Sequence, residues 1–144
     1  MTEAADRLVA ETPVALDGAP HGAGFTAGLG LTLLEVGTTK VRARAEVGPA
    51  HHQEGGILHG GWHASVVETI GSLGAYLKAA ESDQSVVGVS NFTEFFRPYQ
   101  QGVLEIEAVP VHQGRSLQVW EVRISRPDGK LVARGQLRLQ HIDR

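Results

Sequence analysis

A single carboxylate on a predicted helix is the residue of this sequence best suited to chemistry. Glu68 lies in the stretch from Gly60 to Ala80, where apolar residues recur at the spacing of a buried helical stripe. The positions three and four residues to either side hold only Ala, Ser or Gly, so no basic side chain on the same helix can pair with Glu68. Such a carboxylate can serve as a general base or as a nucleophile.

The predicted helix start supplies a second chemical feature. The segment Leu58-His59-Gly60-Gly61 leads into the helix, where unpaired N–H groups and the positive end of the helix dipole favour a developing oxyanion. Because the two glycines lack Cβ, a ligand can approach this backbone closely. Ser72 lies one turn after Glu68 on the same helix face. The pattern indicates an oxyanion site served by a carboxylate.

The helix itself carries unusually small residues. Gly71 and Gly74 lie in its interior, although Gly in a helix costs about 1 kcal/mol relative to Ala. Their presence predicts close packing that leaves no room for a side chain. We therefore expect a central helix with a sheet wrapped around it.

The rest of the chain has the pattern of antiparallel strands. Apolar and polar residues alternate, and Gly and Pro mark turns. Strands are predicted at 25–35, 40–47, 85–96, 103–111, 116–125 and 130–140. Strands, one long helix and four more strands predict an α+β fold with one curved antiparallel sheet around the helix. The exposed ends of that sheet favour dimerisation.

Length and composition set further bounds. A chain of 144 residues with 42% hydrophobic and 20% charged residues predicts one domain over 1–144, with its core at about 25–140. Residues 1–24 are expected to form a short helix at 3–11 and a loop. The absence of cysteine excludes disulfides, thiolate metal sites and a Cys nucleophile.

The sequence also predicts where the protein works and what it does not bind. No signal peptide and no apolar run long enough for a membrane span are present, so a cytoplasmic location and no membrane partner are expected. The sequon Asn91-Phe92-Thr93 is then a chance match. A net charge of −3 without a basic run argues against a nucleic-acid partner. His59 and His63 are one turn apart, but no HExxH motif exists, and no metal is expected.

The motif around the helix start resembles a known family. Gln53, then Gly56-Ile57-Leu58-His59-Gly60-Gly61, then Glu68 seven residues later, resembles the hotdog-fold acyl-CoA thioesterases, in the branch with Glu rather than Asp on the central helix. Segments 90–98 and 107–112 resemble 4-hydroxybenzoyl-CoA thioesterases, and segments 65–72 and 118–122 resemble 1,4-dihydroxy-2-naphthoyl-CoA thioesterases. The resemblance covers roughly 25–140 and implies a hotdog fold that hydrolyses an aromatic or bulky acyl-CoA to free acid and CoA.

The resemblance also implies a role for each site residue. Glu68 would attack the thioester carbonyl or activate water, while the Gly60 N–H would polarise the carbonyl. Gln53 would orient the carbonyl or the water, His59 would support the same site, and Ser72 would help to hold water. Further substrate contacts are expected near the acyl pocket, at Gly61, Trp62 and His63, and near the CoA nucleotide, at Arg97, Arg115 and Ser116. Trp62 and His63 differ from the residues that the relatives carry there.

The resemblance further implies a homodimer with shared active sites, and dimers that pair into a tetramer. Glu68 would come from one subunit, and Gln53 and Gly60 from the other. No cofactor is expected, because coenzyme A is part of the substrate. Two alternatives stay open: a hydratase or dehydratase of the same fold, with His59 or His63 facing Glu68, and a non-catalytic acyl-CoA-binding protein.

Overall fold

The structure of the protein is a computed structural model, and it describes residues 24–144. The helix predicted at 3–11, and the loop after it up to residue 23, lie outside the described residues. The described chain begins with a 3₁₀ helix, Gly24–Leu29, followed by β1 (Leu31–Val36), β2 (Val41–Val47) and a 3₁₀ turn at Pro49–His51. A 21-residue helix follows, α1 (Gly60–Ala80). Four strands complete the chain: β3 (Gln84–Phe95), β4 (Gly102–Gln113), β5 (Leu117–Ser125) and β6 (Leu131–Asp143).

The six strands form one antiparallel sheet in the order β1-β2-β4-β5-β6-β3. The helix α1 packs against this sheet, and its apolar side chains form one hydrophobic core with those of the strands. The strands β1 and β3 are the edges of the sheet. The predicted α+β architecture is therefore confirmed, and the predicted helix has the bounds expected from the sequence.

The predicted alternation of buried and exposed residues is also confirmed. Along β2 every second side chain is buried, from Val41 to Val47, and the arginines and the glutamate between them are exposed. Leu104, Ile106 and Ala108 repeat the pattern on β4. The apolar faces of β2 and β4 therefore belong to the core that they share with α1, as a half-buried sheet requires.

The prediction of one strand over 25–35 is wrong in its first half. The chain there forms the 3₁₀ helix and turns at Gly30, whose φ is +74°. A Cβ on Gly30 would lie 2.6 Å from the backbone oxygen of Glu46, and the Glu46 N–H donates to the Gly30 carbonyl at 3.2 Å. Only glycine suits this position, because the backbone has a positive φ there and the backbone of Glu46 leaves no room for a Cβ.

The glycines of α1 lie where the helix touches the sheet. A Cβ on Gly74 would overlap the ring of Trp120, and a Cβ on Gly71 would lie 3.0 Å from the Cδ2 of Leu137. Trp120 is fully buried, and its indole N–H donates to the Gln118 side chain at 2.8 Å. The predicted close packing is thus confirmed, with the tightest contact at Gly74.

Two polar side chains are buried among these apolar ones. Gln118 is fully buried, and its amide donates to the carbonyl of Ala75 at 3.0 Å. His63 is 4% exposed, but its Nδ1 has no hydrogen-bond partner. Burial lowers the pKa of His63 to about 4, because desolvation disfavours the charged imidazolium. His63 is therefore neutral at pH 7.

In the described part of the chain, no helix combines the length and the apolar character needed to cross a membrane.

The contact between α1 and Trp120 makes a first prediction about stability. Gly74→Ala should lower the free energy of unfolding by about 1–3 kcal/mol, because the added methyl meets a rigid buried ring. Gly71→Ala is the matched control, since its nearest contact would be the Cδ2 of Leu137 at 3.0 Å, against a closer overlap with the Trp120 ring at Gly74, and Ala gains about 1 kcal/mol of helix propensity. Urea unfolding of both variants measures the difference. Equal stability of the two variants would contradict the packing described here.

The buried His63 makes a second prediction. Because the folded pKa is about 4 and the unfolded value is about 6.5, the unfolded chain binds more protons between these two pH values. The free energy of unfolding should therefore fall as the pH drops from 6.5 to 4, with a loss of about 3 kcal/mol due to His63. Urea midpoints measured at several pH values should show a shallower fall in His63→Phe. Parallel curves for the two proteins would show that His63 titrates normally.

Candidate functional site

The start of α1 is built as an open backbone site. His59 is the N-cap residue, and its Nδ1 accepts the N–H of Gly61 at 2.8 Å. The His59 N–H donates to the carbonyl of His51 at 2.9 Å, and the Leu58 N–H donates to that of Tyr99 at 2.8 Å. The loop that precedes α1 is thus anchored on two sides. The Gly60 N–H has no acceptor among the described residues, so it is free to donate to a ligand.

Gln53 lies in the same loop, close to the helix start. Its backbone N–H donates to the carbonyl of Ile57 at 2.8 Å, and its side-chain Oε1 accepts the N–H of Gly55. These bonds close a tight turn, in which Gly56 has a φ of +80°. The side-chain amide NH₂ of Gln53 makes no hydrogen bond among the described residues, so it can donate to a ligand.

A groove of about 390 Å³ opens beside Gly60. Its walls are mostly apolar and aromatic, with the side chains of Gln53, His63 and Arg97 as polar exceptions. The edge of the Phe95 ring covers Gly60 so closely that a Cβ there would lie 3.0 Å from Cζ. The remaining lining residues are Ile57, Leu58, Phe96, Arg97, Pro98 and Tyr99. The groove can hold an apolar group next to the free N–H of Gly60.

Glu68 lies away from this groove, on the exposed side of α1 that faces β3. Its carboxylate lies over Gly88, where a Cβ would be 2.8 Å from Oε1. Asn91 donates to Oε2 at 3.4 Å. None of the ion pairs in the described part of the chain involves Glu68, as expected from its helix neighbours.

Glu68 and Gly60 of one chain lie apart. They are eight residues apart in sequence, which corresponds to about 12 Å along the helix axis. Glu68 lies beside Gly88, the fifth residue of β3, whereas Gly60 lies beside Phe95, its last residue. One chain therefore carries two groups of candidate site residues, which we call half-sites, at separate positions along β3.

The residues expected near the CoA nucleotide divide in the same way. Arg97 is exposed, and its guanidinium donates to the carbonyl of Leu131 at 2.6 Å, at the start of β6. Arg115 and Ser116 are exposed in the turn before β5, where the Ser116 carbonyl accepts the N–H of His141. Leu131 and His141 are about 33 Å apart along the strand. Arg97 thus belongs to the half-site with Gly60, and the other two belong to the half with Glu68.

The other predicted site residues are distributed between these half-sites and the core. Ser72 is half-buried one turn after Glu68, and Gly61 is exposed beside the N-cap. His63 lines the groove, with its ring 5.7 Å from that of Phe95. Trp62 is buried away from the groove, and its indole N–H donates to the Leu29 carbonyl at 3.1 Å. The substrate-binding role of Trp62 stays a prediction.

Two residues near the site were missed by the sequence analysis. Phe95 covers Gly60, and Asn91 contacts Glu68. Both residues belong to segment 90–98, which resembles 4-hydroxybenzoyl-CoA thioesterases, but neither was predicted to be a site residue. The available signal was the spacing of Asn91, Thr93 and Phe95, because alternate residues of a strand share one face. Among the described residues, no three His, Asp or Glu side chains are close enough to bind a metal ion together.

Comparison with known proteins relates this arrangement to a family. The family model described as the thioesterase superfamily matches residues 55–133. The Rv1847 protein of Mycobacterium tuberculosis is 39% identical over 121 residues, which cover 83% of this chain and 86% of that protein. Its solved structure has a TM-score of 0.81 at 38% identity, and the match covers 83% of this chain and 97% of that one.

Two further relatives carry thioesterase names. The proofreading thioesterase EntH of Cronobacter sakazakii is 33% identical over 109 residues, which cover 76% of this chain and 79% of that protein. The structure of thioesterase HI1161 from Haemophilus influenzae has a TM-score of 0.74 at 32% identity, and the match covers 81% of each chain. The protein therefore belongs to the thioesterase superfamily, has the hotdog fold and is a thioester hydrolase.

Proposed function

We propose that the protein is a homodimer that hydrolyses the CoA thioester of an aromatic or bulky acid, with Glu68 as the catalytic carboxylate. The observation that carries the proposal is the division of the site. In one chain the backbone donor at Gly60 lies beside Phe95, whereas the carboxylate of Glu68 lies beside Gly88, seven positions earlier on β3. Two chains related by a two-fold axis can unite both halves.

The edge strand β3 is suited to form that dimer. It is 12 residues long and contains no Lys, Arg or Pro, the residues with which exposed edge strands usually avoid pairing. Val87, Val89 and Phe92 on this strand are 46%, 60% and 69% exposed. Pairing with β3 of a second copy would satisfy the free backbone groups of the edge. We therefore infer that β3 joins the two sheets.

Simple strand geometry brings the half-sites together. If the two β3 strands pair antiparallel about Phe92, Ser90 of one chain lies opposite Glu94 of the other. The register shift between Gly88 and Ser90 then brings Gly88 opposite Phe95. Paired strands lie about 4.8 Å apart. Because Gly88 touches Glu68 and Phe95 covers Gly60, each groove then faces the carboxylate of the other chain. The same pairing would place Arg97 of one chain and Arg115 of the other on one side.

The residues support a mechanism that needs no metal ion. The Gly60 N–H, at the positive end of α1, would hold the thioester oxygen as negative charge develops on it. The Glu68 carboxylate of the second chain would attack the carbonyl carbon, or would remove a proton from an attacking water that Ser72 helps to hold. The C–S bond breaks, CoA leaves as a thiolate, and water supplies the hydroxyl group of the free acid. Gln53 would orient the carbonyl group or the water.

The walls of the groove support the proposed substrate class. The aromatic and aliphatic side chains beside Gly60 suit a flat or bulky apolar acyl group. The exposed guanidinium groups of Arg97 and Arg115 suit the phosphates of CoA. The pairing of dimers into a tetramer stays a prediction.

The hydratase alternative finds less support in the positions of the histidines. That reaction would need an imidazole facing Glu68 across the site. His59 uses its Nδ1 as the helix cap, and His63 is buried beside Trp62 and Phe95. Thioester hydrolysis needs neither imidazole as an acid, because a thiolate leaves without strong protonation.

A third prediction concerns Glu68. Glu68→Gln should lower kcat by at least about 100-fold, because the amide can neither attack nor accept a proton. Thiol release should be measured on benzoyl-, 4-hydroxybenzoyl-, dihydroxynaphthoyl- and octanoyl-CoA, with circular dichroism as a check of folding. Glu105→Gln, on β4 away from the site, is the matched control. A folded Glu68→Gln with wild-type kcat on the best substrate would rule out the mechanism.

A fourth prediction tests the shared site. Glu68→Ala and Gln53→Ala should each be nearly inactive, because each leaves every site of its homodimer incomplete. When equal amounts are unfolded together and refolded, half of the dimers are mixed, and each mixed dimer has one complete site. Activity should then recover to about a quarter of the wild-type value. A mixture of Glu68→Ala with Glu68→Gln is the control and should stay inactive. A lack of recovery in the first mixture would show that each site uses one chain.

A further inference from the structure

An extra residue in β3 decides which side chains of that strand face α1. Gly88 pairs with Leu139 of β6 and Ser90 pairs with the adjacent Arg138, so Val89 forms a β-bulge. Before the bulge, Gly88 faces the helix. After it, the partners of Ser90 and Phe92 on β6 are exposed, whereas those of Asn91, Thr93 and Phe95 are buried. The bulge therefore turns Asn91 and Thr93 toward α1, as bulges near active sites often do.

Asn91 joins the backbone of α1 to the carboxylate of Glu68. Its amide nitrogen donates to the carbonyl of Ala64 at 2.9 Å and to Oε2 of Glu68 at 3.4 Å. Ala64 is one turn before Glu68 on the same helix. The amide thus takes its position from the helix backbone, and its second N–H is directed at the carboxylate.

Thr93 fixes the orientation of that amide. Its hydroxyl donates to Oδ1 of Asn91 at 2.7 Å. An amide whose oxygen accepts this bond must present its NH₂ group to Ala64 and Glu68. Thr93 is itself held against the sheet, because a Cβ on Gly135 would lie 2.7 Å from its hydroxyl oxygen. A continuous series of contacts therefore links β6 to Thr93, Thr93 to Asn91, and Asn91 to Glu68.

Gly88 supplies the surface on which the carboxylate lies. A Cβ there would be 2.8 Å from Oε1 of Glu68, so any side chain would displace the carboxylate. Asn91 and Gly88 thus contact different oxygens of the same group. The two residues are three positions apart, so in a regular strand they would face opposite sides of the sheet. The bulge between them allows both to face α1.

We propose that Asn91 and Thr93 are positioning residues for Glu68, and that the bulge at Val89 exists to aim them. This inference rests on the proposed role of Glu68. A glutamate on the exposed side of a helix, with no ion pair, has several side-chain conformations. The hydrogen bonds through Thr93 and Asn91 select one of these conformations. In that conformation the carboxylate is oriented toward the carbonyl group that the partner subunit binds. Positioning of this kind lowers the activation barrier of the chemical step because it orients the reacting group, and it does not change the affinity for the substrate.

The test compares kcat and KM in variants of the dimeric enzyme, on the best substrate of the thioester panel. Asn91→Ala should lower kcat by about 10- to 100-fold and leave KM within about twofold, because Asn91 acts on Glu68. Thr93→Val should lower kcat less, by several-fold, and Thr93→Ser should restore it, since serine keeps the hydroxyl donor. Ser90→Ala, on the opposite face of β3, is the matched control and should behave as the wild type. A wild-type kcat in Asn91→Ala would overturn the proposal.

A second comparison separates positioning from general damage. In a Glu68→Gln background, Asn91→Ala should cause no further loss of kcat, since the group that it positions is already inactive. An equal loss in both backgrounds would also overturn the proposal. If Glu68→Gln itself keeps full activity, the proposed function fails. If Glu68→Gln is inactive while Asn91→Ala is fully active, only this inference fails.

Discussion

The fixed rise of an α-helix is the constraint on which the site depends. The N-terminus of α1 and Glu68 are about 12 Å apart along the helix axis, and the carboxylate lies against Gly88 rather than in the groove beside Gly60. Each half-site is nevertheless well formed. The loop before α1 is anchored by hydrogen bonds to His51 and Tyr99, and Glu68 lies against β3. An incomplete but ordered site is what a subunit with a shared active site requires.

The packing of α1 on the sheet sets where both half-sites lie. Gly74 lets the helix approach the ring of Trp120 on β5, and Gly71 lets it approach Leu137 on β6. These close contacts set the distance between α1 and the strands β5 and β6, and therefore the position of β3 next to β6. The groove at Gly60 and the contacts of Glu68 with Gly88 both depend on that position. The glycines that stabilise the packing of α1 therefore also set the geometry of both half-sites.

Much of this architecture could be predicted from the sequence. The bounds of α1 followed from a helical period that begins after His59 and ends before the polar residues at 81–84. The strands followed from alternation and from turn residues such as Gly129. Those signals are local, because they depend on residues that are neighbours in the chain. The resemblance to thioesterases added an expected role for Gln53, and that role stays a prediction.

The features that the sequence did not predict depend on contacts between distant residues. The corner at Gly30 exists because the backbone of Glu46 lies against it. The bulge at Val89 is visible only in the register between β3 and β6. Period-two alternation shows that Asn91 and Thr93 share a face of β3, but pairing with β6 decides which face that is. Because the extra residue changes the register of β3, the contact between Asn91 and Glu68 could not be predicted from the alternation alone.

A crystal structure with a non-hydrolysable acyl-CoA ketone analogue would show which chain supplies each group around the carbonyl. The ketone oxygen should lie about 3 Å from the Gly60 nitrogen of one chain. The Glu68 carboxylate of the other chain should lie about 3–3.5 Å from the carbonyl carbon. A complex in which the same chain supplies both groups, or in which no Glu68 carboxylate approaches the carbonyl, would contradict the shared catalytic site.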